Sequence, residues 1–129
     1  MYQLGHVEMV FDGKECLHVA KYLAGKQYGP CPLEATQRAA VSRAYFAAFG
    51  YVRNYEIENH HFKPENAGID HTRLRKHLKD RGETVIAGDL HDLNIKRGWC
   101  DYDKVFIGNG NQIVEDAIKL SEDIIKNLK

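Results

Sequence analysis

The chain has 129 residues, of which 43% are hydrophobic and 28% are charged, a composition typical of one globular domain of modest size. Its 18 lysines and arginines balance its 18 acidic residues. This balance excludes disorder driven by net charge, and it excludes a generally basic surface for nucleic acid. We therefore expect one domain over residues 1–129, in which any contact with RNA is local.

Cysteine usage and apolar runs indicate the compartment. Cys16, Cys31 and Cys100 are widely spaced and form no CxxC pair, so neither a disulfide framework nor a zinc site is expected. The amino-terminal residues lack a basic stretch followed by a long apolar run, and no apolar run reaches the ~18 residues that a membrane span needs. These features predict a cytoplasmic protein with reduced thiols and no membrane segment.

Two helices are predicted in the first half of the chain. The first runs from Phe11 to Ala24, and Asp12 and Glu15 have the spacing of a capping box. The turn-rich link KQYGPCP follows. The second helix, from Leu33 to Glu56, is apolar nearly all round, which is typical of a central helix packed on several sides.

Small residues on the second helix indicate a close helix contact. Ala39, Ala47 and Gly50 lie near Arg43 on one face and would let another backbone approach it. The neighbour could belong to this chain or to a second copy. Arg43 is thus a candidate for this contact or for ligand binding.

The segment NHHFKPENAGIDH is predicted to be a loop, marked by Pro64 and Gly68, and long loops are often functional. A short third helix from His71 to Arg81 follows, with Asp70 as its candidate cap.

The fourth helix is predicted from Glu83 to Arg97. Its apolar stripe ends at Arg97, so this arginine is expected to point into a seam or cleft rather than into open water. The fifth helix is predicted from Gln112 to Leu128, with Asn109 and Gln112 spaced as a cap and its partner. No segment alternates with the period of a half-buried strand. The fold class is therefore all-α, an up-and-down four-helix bundle with one extra short helix.

Three pieces of the sequence resemble one family. They are SRAYFAAF at 42–49, His71 at a loop-to-helix junction, and LHDLNIKRGWCDYD at 90–103. Together they resemble the HEPN domain, most closely its small stand-alone prokaryotic members. The resemblance implies a helical bundle that forms a homodimer, with Arg97 near the dimer cleft. It also implies links to toxin–antitoxin or defence systems, in which a nucleotidyltransferase is a frequent partner.

The resemblance implies candidate site residues. In toxin members, an arginine followed after four to six residues by a histidine cleaves RNA without a metal: the histidine takes a proton, and the arginine stabilises the phosphate transition state. Arg97 occupies the arginine position, but no histidine lies four to six residues on. One toxin subgroup has the order histidine, any residue, tyrosine, and when Tyr102 is aligned with that tyrosine, Cys100 occupies the histidine position. Catalytic candidates are therefore Arg97, Tyr102, Asp101 and His71. Ligand-binding candidates are Arg43, Arg97 and Tyr102.

Two functions follow from these residues, and the remaining alternative is a purely structural dimerisation domain, in which replacement of Arg97 by alanine would change stability alone. One is a binding module that holds a nucleotide or RNA, or docks a partner, without chemistry. The other is a metal-independent ribonuclease of the HEPN toxin type. The structural alternatives are that Arg97 pairs with Asp101 and that Tyr102 packs in the core.

Two further patterns carry less weight. Arg53 and His60 satisfy the toxin spacing, but at the end of the second helix, where the family does not place the pair. The histidines around position 60 and Asp70 have no regular ligand spacing, so we expect neither a metal nor another cofactor.

Overall fold

A computed structural model describes residues 12–25, 32–103 and 109–129. These residues form five α-helices and no strand: α1 (Gly13–Leu23), α2 (Leu33–His60), α3 (Asp70–Asp80), α4 (Thr84–Tyr102) and α5 (Gly110–Asn127). The prediction of an all-α fold is confirmed for this part of the chain. The predicted start of the first helix at Phe11, most of the KQYGPCP link and Cys31 lie outside the described residues.

Helix α2 is the centre of the bundle, as its apolar surface predicts. It contacts α1, α4 and α5, and α4 also contacts α3 and α5. The core contains Tyr45 and Val52 of α2, Leu74 of α3, Leu93 of α4 and Ile124 of α5, all nearly or fully buried. None of the described helices is long and apolar enough to cross a membrane.

The close contact predicted beside Ala47 lies within the chain. Gly13, the first residue of α1, packs so tightly on α2 that a Cβ added there would lie 2.3 Å from the Ala47 carbonyl oxygen and 2.9 Å from the Tyr51 Cβ. Helix α1 is therefore the neighbour at this position. Arg43, by contrast, is exposed.

Two predicted helix ends were wrong. Helix α2 continues past Glu56 to His60 and ends at His61, whose φ of 59° is left-handed, with the Phe62 N–H donating to the Glu56 carbonyl at 3.1 Å. Such a stop is usually a glycine, so a histidine at this position does not mark the end of a helix in the sequence. Helix α4 continues past Arg97 to Tyr102, because Cys100 is buried in the core and holds the last turns against the bundle.

The predicted caps were partly right. Asp12 accepts the Lys14 N–H at 2.9 Å, and Asn109 accepts the Gln112 N–H at 3.1 Å. Asp70 is not the cap of α3 but its first residue. Its carboxylate instead accepts the N–H groups of Glu65 and Asn66, each at 2.9 Å, so it organises the preceding loop. These bonds, chiefly the one from Glu65, hold the pKa of Asp70 below its usual value.

Candidate functional site

Three helices bring the candidate residues together around one buried ring. Tyr45 of α2 is 1% exposed. His71 at the start of α3 and Arg97 of α4 both contact its ring, and Asp101 and Tyr102 lie one turn beyond Arg97. We call Tyr45, His71, Arg97, Asp101 and Tyr102 the Tyr45 cluster.

The guanidinium of Arg97 lies against aromatic rings. Its central carbon is 5.4 Å from the ring centre of Tyr45, 5.6 Å from that of Phe46 and 5.6 Å from that of Tyr102. The side chain is only 16% exposed, in agreement with the apolar stripe that ends on it. Attraction between a cation and aromatic faces holds the flat guanidinium in this position.

Hydrogen bonds further orient Arg97. Its Nε and one terminal nitrogen donate to the Asn94 side-chain oxygen at 3.1 and 2.7 Å. The other terminal nitrogen donates to Asp101 Oδ2 at 3.3 Å and to the Tyr102 hydroxyl at 3.4 Å. Asp101 Oδ2 also accepts the Ser42 hydroxyl at 3.2 Å. Arg97 does pair with Asp101, and the pair lies at the edge of the cluster.

His71 is fixed from two sides. Its Nδ1 shares a short hydrogen bond with the Tyr45 hydroxyl, and its ring stacks on Phe49 with ring centres 4.2 Å apart. Burial, together with the positive charges of Arg97 and Arg75, lowers the pKa of His71, while Asp70 acts in the opposite direction. The imidazole is therefore neutral near pH 7.

The proton of the Tyr45 hydroxyl decides the role of His71. Burial raises the pKa of Tyr45 well above its usual value, so the phenol keeps its proton at all ordinary pH values. A buried O–H needs an acceptor, and Nδ1 of His71 is the one at hand. The phenol therefore donates to Nδ1, and the neutral imidazole carries its own proton on Nε2.

Tyr102 and Cys100 differ in position although they are close in sequence. Tyr102 is 77% exposed, so its interpretation as a core aromatic was wrong. Cys100 is buried, and burial is the main cause that raises the pKa of its thiol, while the Arg38 guanidinium acts in the opposite direction. This thiol points into the core and cannot replace an imidazole base.

Arg43 lies beside the Tyr45 cluster. Its guanidinium carbon is 5.3 Å from the ring centre of Phe46, the ring that Arg97 also contacts. Arg53 and His60 do not act as a pair at this cluster: Arg53 donates to Asn54 and Asn66 and lines a hollow that reaches His71, whereas His60 lies against the Tyr55 ring.

One feature of the site region could not be predicted from the sequence. The Tyr45–His71 bond joins residues 26 apart, and only the fold brings them together.

In the described ranges, no three histidine, cysteine or acidic side chains converge as metal ligands would. No family model, curated protein or solved structure matches the chain.

Proposed function

We propose that the chain is a HEPN-like domain that binds a phosphate group of RNA or of a nucleotide at the Tyr45 cluster without cleaving it. Support comes from the three sequence pieces on which the resemblance rests, at 42–49, 71 and 90–103. Each contributes side chains to the same cluster, through Tyr45, His71 and Arg97.

The observation that carries the proposal is the hydrogen bond between Tyr45 and His71. Because it leaves a proton on Nε2, His71 can donate to a phosphate oxygen but cannot accept a proton from a ribose hydroxyl. Arg97 supplies a second donor, with a planar fork that suits phosphate oxygens. Its contact with Asp101, at 3.3 Å, is long enough for a phosphate to compete for it.

A metal-independent ribonuclease is the second candidate. It is favoured by the placement of Arg97 and His71 on one ring, at 5.4 and 5.5 Å from the Tyr45 centre. In this mechanism, His71 in the other tautomer takes the proton of a ribose 2′-hydroxyl. That oxygen attacks the adjacent phosphorus, and Arg97 stabilises the charge while the 5′-oxygen leaves and is protonated by water.

One experiment separates the two functions. A labelled short single-stranded RNA is incubated with chelator and with wild type, Arg97→Ala or the control Lys119→Ala, an exposed lysine of α5. We expect binding by fluorescence anisotropy and intact RNA on gels. We also expect roughly tenfold or more weaker binding for Arg97→Ala alone, since hydrogen bonds from a charged donor contribute ~1.5–3 kcal/mol.

The other results decide between the candidates. Cleavage by wild type that Arg97→Ala abolishes would establish the ribonuclease instead. If wild type neither binds nor cleaves the RNA, and adenosine nucleotides do not raise its melting temperature, the phosphate site does not exist.

The proposal also covers the oligomeric state, the compartment and the partner of the protein. The resemblance favours a homodimer in the prokaryotic cytoplasm, working beside a nucleotidyltransferase in a toxin–antitoxin or defence system. Tyr102, exposed at the rim of the cluster, is then accessible to such a partner. Sedimentation of the purified chain at several concentrations tests the dimer directly.

A further inference from the structure

One face of α2 beside the Tyr45 cluster carries an arginine at each end, with an aromatic residue and a glycine between them. Arg43, Phe46, Gly50 and Arg53 are spaced by three, four and three residues, so they form one stripe about 15 Å long. Phe49 lies next to this stripe. Both phenylalanine rings are half-buried, and Arg43 is exposed.

A groove opens between the two rings. It is lined by Phe46, Phe49, Gly50, Arg53 and Asn54, and Gly50 has no side chain to fill it. A second hollow continues from it along Phe49 and Arg53 to Asn66 and His71. The walls are therefore flat rings, and the rim carries amide and guanidinium groups.

Positive charge on this face is only partly neutralised. Among the described residues, no carboxylate forms an ion pair with Arg43 or Arg53. Arg53 donates instead to the neutral amide oxygens of Asn54 at 3.1 Å and Asn66 at 2.7 Å. Asp70 lines the second hollow, but its carboxylate is occupied by backbone N–H groups and Arg73.

We infer that this arginine and aromatic face of α2 binds a single-stranded nucleic acid, with bases stacked on Phe46 and Phe49 and phosphates held by Arg43 and Arg53. The inference rests on the proposed function, because Arg97 contacts the same Phe46 ring and would bind the adjoining phosphate. Aromatic rings interleaved with cations are the means by which proteins hold single strands irrespective of sequence.

Charge favours this occupant over a second copy of the chain. A two-fold dimer places the same surface of both copies in contact, so it would set Arg43 and Arg53 of one copy against those of the other. Phosphates neutralise these charges, whereas a second identical face doubles them. The groove also matches a base in chemistry, since bases present both a flat apolar surface and a polar edge.

The test compares a short single-stranded RNA with an abasic strand of the same length, both labelled, for binding to the full chain. We expect wild type to prefer the RNA about tenfold or more, because stacking on an aromatic side chain has a large effect for each base. We expect Phe46→Leu and Phe49→Leu to bind the RNA no more tightly than the abasic strand. Because Phe46 also contacts Arg97 and Phe49 also contacts His71, the ratio of the two affinities, rather than either affinity alone, is the test. Melting curves first establish that both variants fold.

A charge variant provides a test that does not disturb packing. Arg43→Gln on the exposed surface should lower the slope of log affinity against log salt by about 0.7, the loss of one phosphate contact on a single strand. Lys119→Gln on α5 is the matched control and should leave the slope unchanged.

Three other results would contradict the inference, and each identifies a different part of it as wrong. Equal binding of the two strands, with unchanged affinity in Phe46→Leu and Arg43→Gln, would remove the α2 face and leave the phosphate site at Arg97 intact. Failure of wild type to bind either strand would remove the α2 face, and the phosphate site at Arg97 would then depend on the melting experiment with adenosine nucleotides. A dimer in sedimentation that Phe46→Leu dissociates would assign the face to a second copy.

Discussion

The Tyr45 hydroxyl and Nδ1 of His71 are hydrogen-bonded between the middle of α2 and the first turn of α3. This bond fixes the orientation of the imidazole, and it also fixes which ring nitrogen carries the proton. The buried Tyr45 therefore determines whether His71 acts as a hydrogen-bond donor or as a base.

The tautomer of His71 is the first prediction. Nitrogen NMR shifts of the imidazole should identify the Nε2–H form in wild type. Tyr45→Phe removes the donor to Nδ1, so we expect a mixture of tautomers and a loss of about 1 kcal/mol in stability. A wild-type spectrum of the Nδ1–H form would contradict the donor role and would favour the ribonuclease.

The second prediction concerns acid stability. The pKa of His71 is lowered in the fold, so the unfolded chain binds this proton more readily. The stability that the neutral ring contributes is thus complete above about pH 6.5, the ordinary histidine value, and is lost as pH falls through the lower pKa of the folded state. His71→Gln should flatten the dependence of melting temperature on pH in this window. His91→Gln, at an exposed position, is the control, and equal slopes for both variants would contradict the prediction.

The third prediction concerns a buried charge cluster. Glu56 is fully buried and receives the Arg81 guanidinium at 2.5 and 2.9 Å, with His77 at 3.0 Å. Glu56→Gln removes the buried counter-charge of the guanidinium and leaves only its longer contact with Glu83, at 3.7 Å. We expect the free energy of unfolding, measured with denaturant, to fall by about 3 kcal/mol, the low end for a broken buried pair, because the Arg81 side chain is 21% exposed.

The control is Lys76→Ala, which breaks an exposed pair with Asp80 and should lower the free energy of unfolding by less than about 0.5 kcal/mol. Similar losses for both would show that burial of Glu56 is unimportant.

The fourth prediction concerns the end of α4. Arg38 of α2 donates to the carbonyl oxygens of Trp99, Cys100 and Asp103 at 3.2, 3.1 and 2.7 Å. It therefore supplies a donor to carbonyl groups at the end of the helix, where most lack a backbone partner; the Trp99 carbonyl also accepts the Asp103 N–H at 3.2 Å. Arg38→Met should cost about 2 kcal/mol and weaken RNA binding, because the turn that carries Tyr102 loosens.

A conservative change controls this experiment. Arg38→Lys keeps the charge but can reach fewer carbonyl groups, so its loss should be smaller. If Arg38→Met unfolds at the same denaturant concentration as wild type, the helix end is held by Cys100 alone.

The fifth prediction contrasts two helical glycines. Gly13→Ala places a Cβ against the Ala47 carbonyl and Tyr51, so we expect a loss of about 1–3 kcal/mol from overpacking. Gly88→Ala meets nothing within 4 Å in the exposed middle of α4. It should add about 0.5–1 kcal/mol through helix propensity. Thermal unfolding of both variants measures the contrast, and effects of the same sign would contradict the contact at Gly13.

The sequence predicts the helices well because apolar spacing reflects burial along each of them. It fails at Glu56, because nothing in a linear pattern distinguishes a buried carboxylate from a solvated one before Arg81 is known to lie beside it. It fails at the ends of α2 and α4 for a similar reason. His61 adopts a left-handed conformation, and Gly98 continues a helix, because of tertiary contacts rather than intrinsic preference.

The candidate site was likewise predictable from the sequence only in part. Arg97 could be singled out because it continues an apolar stripe, and its burial agrees with this. The tautomer of His71 could not, since it depends on a hydroxyl that the fold brings from another helix. The segment SRAYFAAF carries Arg43, Phe46 and Phe49, but the grooves beside these rings depend on how Phe49 packs on His71, which the linear sequence does not show.

Helix α3 is held in the bundle by two buried leucines and by polar contacts at both of its ends. Only Leu74 and Leu78 enter the core from it, while Asp70 ties its first turn to the loop and Arg81 ties its end to Glu56. Local opening of α3 should therefore respond to salt and acid more strongly than opening of α2. Because opening would remove His71 from the site, an occupying RNA should slow amide hydrogen exchange across α3 before it affects any other helix.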